Sequence, residues 1–155
     1  MREELITFIL AMLPVSELRG AIPFGLSNGI PLERVLLLSL AGNLLPVIPL
    51  YFLLDRILAA MGRHRYGKRF SDWIIAHGRK RSRLIEIYET IGLAIFVGIP
   101  LPITGAWTGT LASVLLKLKF KNYIIGILAG ISMAASIVTV LWLFFGFAIE
   151  GILKR

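Results

Sequence analysis

A glutamate and an arginine lie inside an otherwise apolar stretch near the start of the chain. The stretch runs from Leu13 to Pro23 with the sequence LPVSELRGAIP, so Glu17 and Arg19 stand between prolines. At the centre of a bilayer each charge costs about 2.5–3.5 kcal/mol or more, which makes such residues candidates for function. A purely structural, self-neutralising pair is the alternative. Residues two apart do not face each other on a regular helix, so a direct pair requires an interrupted backbone.

A looser version of this pattern lies downstream, between Gly98 and Gly109, with the sequence GIPLPITGAWTG. We interpret both stretches as broken helices at membrane depth that face each other from opposite sides. Proline interrupts helices because it lacks an N–H group and clashes with the preceding turn. The residues predicted to shape the two breaks are Pro14, Pro23, Pro100 and Pro102.

The composition is that of a membrane protein. The chain has 155 residues, of which 57% are hydrophobic and 17% are charged, whereas a soluble domain is about 45–50% apolar and 25% charged. Several apolar runs approach the ~20 residues that cross a bilayer as a helix. We therefore expect an all-α integral membrane protein that forms a single domain over residues 1–155.

The order of elements occurs twice. A short apolar helix, a break, a second short helix and a long span fill residues 1–55, a basic connection follows at 56–83, and the same order returns over 84–155. Inverted repeats of this kind are a recurrent plan in transporters. The sequence thus predicts two re-entrant hairpins, each followed by a transmembrane helix, related as an inverted repeat.

The basic connection carries much of the net charge of +8. Nine of the seventeen Lys and Arg residues fall in Arg56–Arg83, next to apolar spans, which favours anionic lipid headgroups over nucleic acid as the partner. An apolar stripe at helical spacing predicts an interfacial amphipathic helix between the two halves. A helix packed on the protein's own cytoplasmic surface is the alternative. The stripe consists of Tyr66, Phe70, Trp73, Ile74 and His77.

The distribution of basic residues also predicts the topology. If both breaks are re-entrant, Arg56–Arg83 and the cluster Lys117–Lys121 lie on one side of the membrane, as the positive-inside rule prefers. Four full crossings, the alternative, would put them on opposite sides. We therefore expect a multi-pass plasma membrane protein with a cytoplasmic basic connection and with both termini outside.

The breaks should expose helix ends to the protein centre. Backbone N–H groups near Gly20 and near Thr104–Gly105 would lack intrahelical partners, and such N-termini bind anions. With Arg19 beside them, the centre should favour a phosphate or carboxylate, and Glu17 is the first candidate for proton coupling. Glu86 and Glu89 are predicted helix-start charges, with a proton relay as the lesser alternative. The predicted lining residues are Ser16, Gly20, Asn43, Thr104, Gly105, Trp107 and Thr108.

Catalytic signatures are missing from the sequence. Cysteine is absent, which excludes disulfides, thiolate metal sites and cysteine nucleophiles. No HExxH, G-x-S-x-G or GxxxxGK[ST] motif occurs. An enzyme is therefore the least supported class, and we expect neither a metal nor a cofactor.

Two motifs carry a resemblance to a known family. The sequences PVSELRGAIP, from Pro14 to Pro23, and PLPITGAWTG, from Pro100 to Gly109, resemble the small multidrug export proteins, regarded as a branch of the DedA superfamily. The resemblance implies opposed re-entrant hairpins and the transport of lipids such as polyprenyl phosphates and phospholipids. It maps an acidic residue of the first hairpin onto Glu17. The arginine that many superfamily members carry in the second hairpin has no match here.

Three functions follow as hypotheses. The first is a proton-coupled transporter or lipid translocase for an anionic amphiphile. The second is proton-coupled export of small cationic drugs. The third is a structural membrane module that recruits partners through Arg56–Arg83. The sequence leaves a homodimer open.

Overall fold

The protein is described by a computed structural model over residues 1–61, 83–101 and 104–153. All regular structure in these residues is α-helical, which confirms the all-α part of the predicted fold class. The predicted amphipathic stripe, Pro102 and most of the basic connection lie outside the described residues. The helices are α1 (Arg2–Met12), α2 (Glu17–Ser27), α3 (Leu32–Met61), α4 (Arg83–Gly98), α5 (Ala106–Leu115) and α6 (Phe120–Leu153).

Two of the helices are long and apolar enough to cross a membrane. The apolar parts, Leu32–Ile57 of α3 and Phe120–Phe145 of α6, each contain 26 residues, or about 39 Å at 1.5 Å per residue, against a hydrocarbon core of about 30 Å. Pro46 and Pro49 lie inside α3 without ending it, as membrane helices tolerate. Together these two helices account for the predicted spans.

Helices α1 and α2 form a first helical hairpin beside the first half of α3. The Arg34 guanidinium lies 3.1 Å from the Glu4 carboxylate, which joins the start of α1 to the start of α3. Further along, Gly42 packs against Ala11, so α1 and α3 run in the same direction. The tip of this hairpin, Leu13–Ser16, therefore lies near the middle of α3. The hydrogen bond from Arg34, with the N-terminal ammonium, holds the pKa of Glu4 below its ordinary value.

Helices α4 and α5 form a second helical hairpin beside the first half of α6. A Cβ added at Gly126 would lie 2.9 Å from Leu93, and one added at Gly130 would lie 2.6 Å from Val97. The residue that follows later in α4, Val97, meets the residue that follows later in α6, Gly130. The two helices therefore also run in the same direction. Glycine is needed at these two positions since the helices approach too closely for a side chain.

The long helices run in opposite directions, so the hairpins reach the centre from opposite ends. The Tyr123 hydroxyl donates to the Val47 carbonyl at 2.9 Å, and the Tyr51 hydroxyl donates to the Leu118 carbonyl at 2.6 Å. These bonds join the start of α6 to the later part of α3. The core between the helices consists mainly of Leu18, Ile22, Val35, Val47, Leu93, Val97, Ala106, Tyr123, Ile127, Ile131 and Ala134.

Candidate functional site

Glu17 begins α2 in a backbone conformation that L-amino acids rarely adopt. Its φ angle is +45°, in the left-handed region. This conformation costs about 1–3 kcal/mol for a residue other than glycine, and residues with such strained backbone are concentrated at functional sites. This turn follows Pro14, which lies in the exposed tip of the first hairpin. The residue is buried, with 5% of its surface exposed. The interruption required by the sequence is therefore located at Leu13–Glu17.

The Glu17 carboxylate caps a helix of the other hairpin. Its two oxygens accept hydrogen bonds from the backbone N–H groups of Ala106 (3.4 Å) and Trp107 (3.3 Å), the first two residues of α5. The residue before them is Gly105, which has no side chain to cap the helix. A carboxylate at this position satisfies N–H groups that lack intrahelical partners and interacts favourably with the helix dipole. Glu17 thus does for α5 what an N-cap side chain normally does.

Arg19 holds the loop that precedes α5. Its guanidinium donates to the main-chain carbonyls of Leu101 and Thr104. The same guanidinium lies 3.9 Å from the Glu17 carboxylate, close enough for an ion pair but too far for a hydrogen bond. The charged pair of the first hairpin therefore binds the second hairpin in two places, with Arg19 at the loop before α5 and Glu17 at the first turn of α5.

The remaining contacts between the tips also use main-chain atoms. The Trp107 indole N–H donates to the Met12 carbonyl at 3.2 Å, which fastens α5 to the end of α1. The Thr104 hydroxyl donates to the Ile99 carbonyl and accepts the Leu101 N–H at 3.1 Å, so it is used within its own loop. These bonds give the second tip a defined shape against the first.

Gly105 is the position where the two tips come closest. A Cβ atom placed there would overlap the Glu17 carboxylate. Any larger residue would therefore push the carboxylate away from the N–H groups that it caps. Gly105 was predicted to line a substrate site, and the structure gives it a steric role at the contact between the tips.

Two spaces of different size lie on either side of Arg19 and Pro100. The inner one has a volume of about 10 Å³, which is enough for one water molecule at most. The outer one is an open groove of about 250 Å³ with mainly apolar walls. The inner cavity is lined by Glu17, Leu18, Arg19, Val97, Pro100, Thr104, Gly105, Ala106, Ile131 and Ala134. The groove is lined by Arg19, Pro23, Pro100, Val138, Leu141, Trp142 and Phe145.

The structure brings together some of the residues singled out in the sequence. The contacts given above bring five of them together where the two hairpins meet: Glu17, Arg19, Thr104, Gly105 and Trp107. Pro23 lies inside α2, not at a break, and lines the groove. The sequence had not pointed to the α6 part of the groove, because its residues belong to an uninterrupted apolar run.

Other predicted lining residues point elsewhere. Thr108 is exposed, and its hydroxyl donates to the Gly105 carbonyl within the helix. Gly20 gives its N–H to the Ser16 carbonyl at 3.0 Å, so this N–H is not open to an anion as expected. The N–H groups at the start of α5 are likewise occupied, since Glu17 binds them. Asn43 is buried on α3 and is treated separately below.

Glu89 lines a cavity of about 280 Å³ between the arms of the second hairpin. Its other walls are mainly apolar and include Phe96, Leu116 and Leu118. The cavity is remote from the tips, so the structure does not link Glu89 to Glu17. Within the described parts of the chain, no group of three or more His, Asp or Glu side chains is arranged to hold a metal ion.

Two apolar helices of membrane-spanning length, each packed beside a helical hairpin, indicate a membrane protein. Residues 17–137 match the family described as "putative small multi-drug export protein", and the chain belongs to that family. The match begins at Glu17, directly after the first hairpin tip, and includes the second tip. No curated protein and no solved structure matches the chain. The family indicates membrane export and a transporter rather than an enzyme.

Proposed function

We propose that this protein moves an anionic amphiphile across the plasma membrane, as a lipid translocase or transporter coupled to protons. The family gives the coarser class, membrane export. The observation that carries the finer proposal is the position of Arg19 at one end of an apolar groove. A phosphate or carboxylate headgroup would bind at the guanidinium while its hydrocarbon chain lies along α6.

Arg19 retains the capacity to bind such a headgroup. A guanidinium has five N–H donors, and the bonds to Leu101 and Thr104 use two of them. The side chain is 24% exposed and lines the groove. The nearby Glu17 carboxylate is not hydrogen-bonded to Arg19, because it lies 3.9 Å from the guanidinium. The charge of the Arg19 guanidinium is therefore only partly neutralised by Glu17, and the guanidinium can bind a second anion.

The groove suits the apolar part of an amphiphile. Its apolar lining includes Leu141, Trp142 and Phe145 of α6, together with Pro23 and Pro100. Its volume of about 250 Å³ is slightly below the ~300–1,000 Å³ typical of small-molecule pockets. It would thus take the headgroup-proximal part of a long chain, with the remainder in the surrounding lipid.

Protonation of Glu17 supplies a mechanism for coupling. A charged carboxylate is the stronger acceptor for the N–H groups of Ala106 and Trp107, so protonation weakens the contact between the hairpin tips. Separation of the tips would move Pro100 and Arg19, which divide the inner cavity from the groove. The headgroup would then pass from the groove to the protein centre.

The proposal includes a membrane arrangement. Each hairpin would be re-entrant, and the two halves would form an inverted repeat, as in the DedA superfamily. The basic connection would face anionic headgroups on the cytoplasmic side, with both termini outside. A topology reporter fused to the C-terminus tests this arrangement, since cytoplasmic activity of the reporter would favour four crossings.

A reconstituted transport assay tests the function. Protein in vesicles that contain a fluorescent phosphate-headed lipid should increase the rate at which the label becomes accessible to a membrane-impermeant quencher. Arg19→Gln should abolish most of this increase, since the headgroup loses its cation. Arg34→Gln is the matched control, because Arg34 pairs with Glu4 away from the groove. Equal rates for empty vesicles, parent and Arg19→Gln would refute lipid translocation.

Export of cationic drugs is the second candidate, favoured by the family's description. In that case Arg19 repels the substrate, so Arg19→Gln should increase proton-driven uptake of a lipophilic cation into vesicles. The same variant thus separates the two functions by the sign of its effect. A decrease in cation uptake would exclude this role for Arg19.

A further inference from the structure

Two buried polar side chains on α3 have no hydrogen-bond partner among the described residues. Ser39 and Asn43 are fully buried, and neither the Ser39 hydroxyl nor either end of the Asn43 amide is bonded to another atom in that part of the protein. The residues are four apart, so they lie on the same face of the helix. Because nearly all buried polar groups in proteins are hydrogen-bonded, this pair indicates a ligand.

The pair lies at the centre of the protein. Gly42, the neighbour of Asn43, packs against Ala11 near the end of α1, so Asn43 lies at the depth of the first hairpin tip. One turn further along the same face, the Val47 carbonyl accepts a hydrogen bond from Tyr123. The unpartnered groups thus lie between the hairpin tip and the contact of α3 with α6.

The chemistry of the three atoms identifies the ligand. An amide nitrogen only donates and an amide oxygen only accepts, and both remain unpartnered whichever way the Asn43 amide is turned. A metal cation would leave the nitrogen unbonded, and a simple anion would leave the oxygen unbonded. Water satisfies both, and it also bonds the hydroxyl. We propose that Ser39 and Asn43 share an internal water molecule in the core of the protein.

A double-mutant cycle tests for the shared water. The measurement is the unfolding temperature, Tm, of the purified full-length protein in detergent without added lipid. Ser39→Ala and Asn43→Leu should each lower Tm, and the double variant should lose no more than Asn43→Leu alone, because one substitution already removes the water. Ser113→Ala is the control, since Ser113 is buried but donates to the Gly109 carbonyl of its own helix. Its loss in Tm should add to that of Asn43→Leu.

The other outcomes overturn the proposal. A rise in Tm for either single variant means that the site is dry, since an apolar replacement then removes an unsatisfied group. Additive losses mean that the two side chains share no ligand. Coupling that appears only after a phosphate-headed lipid is added identifies the ligand as a substrate headgroup instead of water. If Asn43→Leu does not fold, Ser39→Ala decides alone, and an unchanged or higher Tm refutes the water. The test involves no transport, so its result is independent of the proposed function.

Discussion

Replacing Glu17 with glutamine removes the charge that caps α5 while keeping the size of the side chain. Glutamine has only one acceptor oxygen, so it can keep only one of the two hydrogen bonds from Ala106 and Trp107. The N–H group that loses its bond then faces the amide NH₂ of the glutamine. A hydrogen bond to a charged group contributes about 1.5–3 kcal/mol, and the distances of 3.3 and 3.4 Å favour the lower end of that range. With the lost interaction with the helix dipole, we expect the free energy of unfolding to fall by about 2 kcal/mol. In a chain of this size that corresponds to a decrease in Tm of roughly 4–8 °C.

Thermal unfolding of the detergent-solubilised protein, followed by circular dichroism, measures this change. Glu4→Gln is the matched control, because Glu4 also pairs with an arginine but lies at the surface. A surface ion pair contributes about 0–1 kcal/mol, so the control should lose less than half as much as Glu17→Gln. The comparison separates the buried cap from a general effect of removing a carboxylate.

An unchanged Tm for Glu17→Gln would refute the reasoning. Glutamine resembles a protonated glutamate, so an unchanged stability would mean that the carboxylate does not act as a charged cap in the resting protein. Protonation would then have no contact to weaken, and the coupling mechanism proposed above would fail with it.

Two further substitutions test the packing around the site. Gly105→Ala should lower Tm by at least as much as Glu17→Gln, because the added Cβ overlaps the Glu17 carboxylate. Gly92→Ala is the control: the added Cβ meets no atom within 4 Å, and Tm should rise slightly because alanine has the higher helix propensity. Equal changes in Tm for the two variants would contradict the steric argument. Tyr123→Phe should cost about 1–3 kcal/mol, since the buried hydroxyl bonds a main-chain carbonyl and a threonine. Tyr88→Phe, at a side chain that is 71% exposed, should leave Tm unchanged, and a Tyr123→Phe variant as stable as the Tyr88→Phe variant would show that the bonds contribute nothing.

Local signals in the sequence predicted the helices and a break within Leu13–Pro23, which the structure places between Met12 and Glu17. The two long spans follow from the length of their apolar runs, and the break follows from Pro14 and from charges that no regular membrane helix would carry. Both helices are longer than their apolar segments: α3 is Leu32–Met61 with the apolar segment Leu32–Ile57, and α6 is Phe120–Leu153 with the apolar segment Phe120–Phe145. A helix continues past its apolar segment because its hydrogen bonds are made within the backbone.

The partners within the site could not be predicted in the same way. Glu17 and Arg19 were identified as unusual, but their ligands are the N–H groups and carbonyls of another segment, which any sequence would supply. The groove residues of α6, such as Trp142, belong to a run that is apolar on every face, so nothing distinguishes the side that meets Arg19. The sequence pointed to Asn43, but only the structure shows that its amide lacks a partner.

The use of main-chain atoms at the hairpin tips has an evolutionary consequence. Within the described residues, the Glu17 and Arg19 side chains form hydrogen bonds to main-chain atoms of Leu101, Thr104, Ala106 and Trp107. Side chains at these positions can therefore be exchanged without loss of the contact. Pairwise covariation between the two hairpins should therefore be weak, although the hairpins touch. Among relatives we expect the first tip to keep its acidic and basic residues and the second to keep Gly105. This explains why one half of the chain carries a sharp motif and the other only an approximate copy.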